Sequence, residues 1–173
     1  MTKDGCRLQS LHITAKNGHA ELTNVLLKQR IIDVNSKDEA NGKTALTCAC
    51  EFGYANVVKL LLKRKDVDVG SNYNDGCTVF IRTFRGGHEG VVMLLLARND
   101  VEVNAKDHYG KTALLTACES GHEGVAKLLL AQDDVEVDAK DSDGETALTY
   151  ALDQGKDEIA KLLRQFADNQ KAI

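Results

Sequence analysis

Gly110-Lys111-Thr112-Ala113-Leu114 is one of four renderings of a single phrase. Gly42-Lys43-Thr44-Ala45-Leu46, Gly76-Cys77-Thr78-Val79-Phe80 and Gly144-Glu145-Thr146-Ala147-Leu148 repeat it at steps of 34 residues without a slip. A second glycine follows each phrase in fixed register, at Gly53, Gly87, Gly121 and Gly155. A period between about 20 and 50 residues marks a stack of like units rather than a closed globule. The period therefore decides the fold, and it narrows function to recognition by a surface.

The residues inside one unit say how it folds. Thr112 is placed to cap a helix, its hydroxyl accepting a backbone N–H of the first turn. The pattern predicts a short inner helix from Ala113 to Ser120, stopped by Gly121. A second, outer helix is predicted from Glu123 to Ala131, with Val125, Leu128 and Leu129 on one buried stripe. Helices this short do not persist alone, so each pair must bury its face against the next. The outer helices carry Val25-Leu26-Leu27, Leu60-Leu61-Leu62, Leu94-Leu95-Leu96 and Leu128-Leu129-Leu130, whereas the last reads Leu162-Leu163-Arg164. Arginine in that slot suits a capping unit with nothing stacked beyond it. Asn41-Gly42, Asp75-Gly76 and Asp143-Gly144 are turn dipeptides, expected at the tips of hairpin-like fingers. No linker interrupts the pattern, so residues 1–173 read as one domain.

The period, the Gly-x-Thr phrase, the Gly-His pairs at Gly18-His19, Gly87-His88 and Gly121-His122, and the leucine runs together resemble the ankyrin-repeat family. Full units read as 37–71, 72–105, 106–139 and 140–173. A degenerate unit occupies 1–36, where Ser10-Leu11-His12 keeps part of the family phrase. Two departures stand out. The chain has no proline, and Ser10, Ala45, Val79, Ala113 and Ala147 fill the family's proline position. The family's next histidine survives only as His12, so its polar bracing should be thinner here.

That resemblance implies an all-α solenoid of stacked helix-turn-helix units with β-hairpin-like loops, its concave face made by hairpins and inner helices. It implies a protein partner held there. Carried over position by position, the hairpin contacts are Ala40, Asn41 and Lys43; Asn74, Asp75 and Cys77; His108, Tyr109 and Lys111; Ser142, Asp143 and Glu145. Those of the inner helices are Glu51 and Phe52, Arg85 and Gly86, Glu119 and Ser120, Asp153 and Gln154. Asn35 and Asn104 resemble the asparagine that cellular hydroxylases modify in ankyrin repeats.

Composition bounds the rest. With 43% apolar and 28% charged residues the chain shows no disorder signature. No run of about 18 apolar residues spans a membrane, and Met1-Thr2-Lys3-Asp4-Gly5 does not read as a signal peptide. Five scattered cysteines suit reduced thiols, hence cytoplasm or nucleus, better than a disulfide framework. Residues 1–71 carry 11 basic and 8 acidic side chains, and residues 106–173 carry 8 and 14. This asymmetry reads either as drift among solvated faces or as a field that orients a partner.

Catalytic chemistry is not signalled. Cys48 and Cys50 lack a second Cys/His pair for zinc, and Cys50 and Cys118 share one small, core-like slot. His19, His88 and His122 recur in register and are expected to brace the start of the outer helix. The glycines are periodic rather than clustered in a phosphate loop. Lys59, Lys63, Arg64 and Lys65 form a basic helix end, but a pI near 5.7 argues against nucleic acid. No enzyme, cofactor or metal is expected, and the chain is expected to be a monomer.

The third unit diverges most. Phe80-Ile81-Arg82-Thr83-Phe84-Arg85 stands where Leu114-Leu115-Thr116-Ala117-Cys118-Glu119 stands in the fourth, and Met93 replaces a lysine. Arg85 is expected to neighbour Phe52, with Tyr73 and Tyr109 on the adjoining hairpins. Phe52, Arg85 and Tyr109 are the expected hot spot. Phe80 and Phe84 read equally as core. Two other readings remain open: a regulatory segment of a larger signalling or effector protein, and a binder made or selected in the laboratory. The irregular first unit and five cysteines weigh against the latter.

Overall fold

The computed structural model describes residues 3–29, 31–71 and 77–171; the side chains of 3–9 and 171 are not among the described atoms. Its inner helices are α1 (Lys3–Lys16), α3 (Ala45–Glu51), α5 (Val79–Gly86), α7 (Ala113–Ser120) and α9 (Ala147–Asp153). The outer helices are α2 (Ala20–Leu27), α4 (Ala55–Leu61), α6 (Glu89–Leu96), α8 (Glu123–Leu130) and α10 (Asp157–Lys171). Inner helices pack in chain order on one another, outer helices do the same, and each inner helix packs on its own outer helix. The result is two layers of helices, as the period predicts.

The threonines start the inner helices. Thr44, Thr78, Thr112 and Thr146 each accept the backbone N–H three residues on, at 3.2, 3.1, 3.4 and 3.3 Å. The inner helices α3 and α7 are buried nearly all round: Ala45 to Cys50 and Ala113 to Cys118 are continuously buried. A short helix of this kind is sandwiched between like neighbours, which is why both Cys48 and Cys50 are inside despite pointing apart. The outer helices α4, α6 and α8 each bury one stripe, Val57-Val58-Leu61, Val91-Val92-Leu95 and Val125-Ala126-Leu129. Arg164 is exposed, as expected for a cap.

Phe80 and Phe84 are core. They meet edge to face at 4.3 Å and expose 4% and 0% of their surface. The loops close like hairpins, with Asp38, Asp107 and Asp141 donating their N–H to the carbonyls of Lys43, Lys111 and Glu145 at 2.8, 3.0 and 3.0 Å.

Candidate functional site

Six of the expected contact residues meet at one groove. Arg85, Tyr109, Lys111, Glu119 and Asp143, with Ser120, line about 400 Å³ between the ends of α5 and α7 and the hairpins that precede α7 and α9. Three successive units contribute to it.

The hairpin tips are held by buried carboxylates. Asp107 Oδ1 accepts the amides of Tyr109 and Lys111, both at 2.9 Å, and Asp141 Oδ1 accepts those of Asp143 and Glu145 at 3.0 and 2.9 Å. Asp38 does the same for Asn41 and Lys43. Burial alone raises the Asp141 pKa, but the hydrogen bonds from Tyr150 and the two amides outweigh it, leaving the carboxyl below its ordinary value. The Ser142 amide donates to Tyr109 O at 2.9 Å and ties neighbouring tips together. Tyr109 is thereby presented with 70% of its surface exposed.

Lys111 is fixed rather than free. Its Nζ lies 2.8 Å from Glu119 Oε2 and 4.5 Å from the ring centroid of Tyr150, whose hydroxyl donates to Asp141 at 2.6 Å. Burial opposes its charge, yet Glu119 and Tyr150 outweigh that and raise its pKa. Lys43 and Glu51 repeat the pair at 2.6 Å two units earlier. Arg85 occupies the position of those glutamates in the third unit and forms no ion pair among the described residues. The groove thus offers an exposed guanidinium and a phenol ring beside a lysine–glutamate pair.

Other expected residues lie apart. Phe52 is half-exposed and stacks on Tyr54, with centroids 6.1 Å apart, rather than lining the groove. Cys77 is buried, so its side chain lies beneath the surface instead of on it. His108 and Ser142 are exposed on their hairpins. Asn74, Asp75 and Tyr73 lie outside the described residues. Asn35 and Asn104 brace successive loops: their amides donate to Asp66 O and Asp134 O and accept from the N–H groups of Asp68 and Glu136.

Two structural roles differ from the sequence expectation. His88 and His122 do not brace their own helices. Their Nε2 atoms sit 3.1 and 2.9 Å from Glu51 O and Arg85 O, at the ends of α3 and α5, the inner helices of the preceding units. The repeat pattern does not point to Tyr150 or to the aspartate clamps. The clamps do have a signal, the pairs Lys37-Asp38, Lys106-Asp107 and Lys140-Asp141 just ahead of the turn glycines Gly42, Gly110 and Gly144.

The basic helix end is partly engaged, since Arg64 pairs with Asp66 at 2.5 Å. Burial pushes the thiol of Cys48 up to about 11 and those of Cys50 and Cys118 up to about 12. Among the described residues no group of His, Cys, Asp and Glu is placed to hold a metal ion, and no helix is long and apolar enough to cross a membrane.

A sequence model of ankyrin repeats matches residues 2–73, 55–141 and 80–172. Over 77 residues the chain is 31% identical to Alpha-latrotoxin-Lhe1a of Latrodectus hesperus, a stretch that covers 44% of this chain and 5% of that protein.

Proposed function

Because this chain belongs to the ankyrin-repeat family, we propose that it binds a partner protein in the groove of Arg85, Tyr109, Lys111, Glu119 and Asp143. Ankyrin repeats are generally protein–protein interaction modules without catalysis. The observation that carries the reading is convergence. One groove gathers side chains from three units, and its lining includes an exposed tyrosine and an arginine that has no ion pair among the described residues. Aromatic residues and arginine dominate binding energy where they can be desolvated. His108 and Ser142 extend the surface along the hairpin tips, with Asn74 and Asp75 the corresponding positions of the third unit. Lys43 and Phe52 extend it toward the second.

The partner is a protein rather than nucleic acid, in keeping with a pI near 5.7. The module acts as a single domain and a monomer in cytoplasm or nucleus, where its buried thiols stay reduced. Immobilised wild type and a Tyr109→Ala/Arg85→Ala variant should be compared in affinity capture. Proteins retained by the first and lost by the second are expected; identical retention overturns the assignment.

A second reading, a regulatory segment inside a longer polypeptide, is favoured by the likeness to a small fraction of a much longer protein. Detection of the native polypeptide at 18.9 kDa, and at no greater mass, in source cells would overturn it. Asn35 and Asn104 are further proposed as hydroxylation sites. Their bonded amides mean that a hydroxylase must first open the loops. Intact-mass analysis of these peptides from native cells should show one added oxygen, and unmodified peptides throughout would remove the proposal.

A further inference from the structure

The loops between units carry a device that is present twice and missing once. In Asp33-Val34-Asn35-Ser36 and Glu102-Val103-Asn104-Ala105 the asparagine side chain plugs the next loop. Asn35 Nδ2 donates to Asp66 O at 2.6 Å and its Oδ1 accepts from Asp68 N at 2.8 Å. Asn104 does the same with Asp134 O and Glu136 N, at 2.7 and 2.9 Å. The intervening segment reads Asp68-Val69-Gly70-Ser71. Glycine there supplies no carboxamide for the next loop.

The receiving loop is nevertheless built. Arg98 holds Asp100 through Nε and Nη2 at 2.7 and 2.5 Å, as Arg64 holds Asp66 at 2.8 and 2.5 Å. In the Arg64 loop the following carbonyl and amide groups are occupied by Asn35. In the Arg98 loop Asp100 O and Glu102 N are hydrogen-bonded to none of the described residues. A pocket of about 320 Å³ lies there, bounded by Gly70, Asp100 and Glu102 and walled by Val69, Phe80 and Val101. It shares no residue with the Arg85–Tyr109 groove.

We propose that this pocket binds a primary carboxamide, the asparagine or glutamine side chain of a partner protein. The chemistry follows from the two groups left open. A carbonyl needs a donor and an amide N–H needs an acceptor, and one carboxamide supplies both in the geometry that Asn35 and Asn104 display. A carboxylate supplies no donor for the Asp100 carbonyl, and Lys106 at the pocket's edge provides no substitute because its ammonium already donates to Lys140 O at 2.9 Å. An aliphatic side chain satisfies neither group and leaves them desolvated. The apolar wall takes the methylene groups of the entering residue.

The test uses the isotopically labelled full chain and three small probes, the N-acetyl methylamides of asparagine, aspartate and leucine. The asparagine probe is expected to move the Glu102 amide resonance saturably, and the other two to move it by less than a third as much. Gly70→Asn has room, since an added Cβ meets only Asp68 Oδ1 at 3.4 Å and the backbone is not left-handed. It should fill the pocket from within, raise the melting temperature by about 2–4 °C and abolish the response to the probe. Gly70→Ala adds no carboxamide and should leave the response intact. A Glu102 resonance that ignores the asparagine probe, or follows leucine equally, overturns the proposal. So does a Gly70→Asn variant that still responds.

Discussion

His122 rests on Gly87 across a unit boundary, so closely that a Cβ at residue 87 would lie 2.5 Å from its Nδ1. The same ring places Nε2 2.9 Å from Arg85 O. The second glycine of the period thus has two duties: it ends α5 with a left-handed φ of 69°, and it leaves room for the next unit's ring.

Gly155 separates these duties. It too has a left-handed φ, of 63°, but a Cβ added there would find nothing within 4 Å among the described residues. Gly155→Ala should therefore cost only the backbone penalty, about 1–2 kcal/mol. Gly87→Ala should cost that and a further 1–3 kcal/mol, roughly, for displacing the imidazole. Urea melts of both variants test this, and equal losses would show that the ring moves away freely.

The period makes the helices, their caps and the leucine stripe legible because each depends on local spacing. The register of Thr112 and Gly121 alone places both ends of α7, as found. The glycine-to-histidine contact is less legible, since it joins residues 35 apart whose nearness depends on how units stack. The groove is legible in part. Arg85 and Tyr109 stand out by residue type, whereas Phe52 pairs with Tyr54 and Cys77 turns inward. Side-chain direction at a helix end or hairpin base is set by packing that the repeat pattern does not encode.

Stacking predicts unequal sensitivity along the chain. Leu95 and Leu129 are almost wholly buried between units, while Arg164 is exposed. Leu95→Ala or Leu129→Ala should lower stability by about 2–5 kcal/mol, transfer and cavity terms together. Arg164→Ala should change it by well under about 1 kcal/mol. Denaturant titrations in which all three variants lose the same amount contradict a solenoid with a polar cap.

The cysteines yield a chemical prediction with a defined sign. Burial raises the pKa of Cys50 and Cys118 to about 12, and a raised pKa suppresses the thiolate, the reactive form. At pH 8 only about one such thiol in ten thousand is ionised. Peptides containing Cys48, Cys50 and Cys118 should stay unlabelled by a thiol-directed reagent in the native state and become labelled in denaturant. Prompt native labelling of any of them would place it at the surface.

Binding should depend on residues whose loss leaves the stack intact. Tyr109 is exposed on a tip whose shape comes from backbone bonds to Asp107, so removing its ring leaves the tip in place. Arg85 has no ion pair among the described residues, and its link to His122 runs through its own carbonyl, which alanine retains. Tyr109→Ala and Arg85→Ala should each weaken partner binding by about 1–4 kcal/mol with little change in melting temperature. Phe52→Ala probes how far the contact reaches toward the second unit, and it also removes the stacking on Tyr54, so a small loss of stability accompanies it. Lys111→Ala provides a contrast, because its ammonium is held by Glu119 and lies over Tyr150. It should lower the melting temperature more than Tyr109→Ala does. Titration calorimetry against the captured partner distinguishes these effects, and unchanged affinity in the Tyr109, Arg85 and Phe52 variants alike would move the contact surface elsewhere on the molecule.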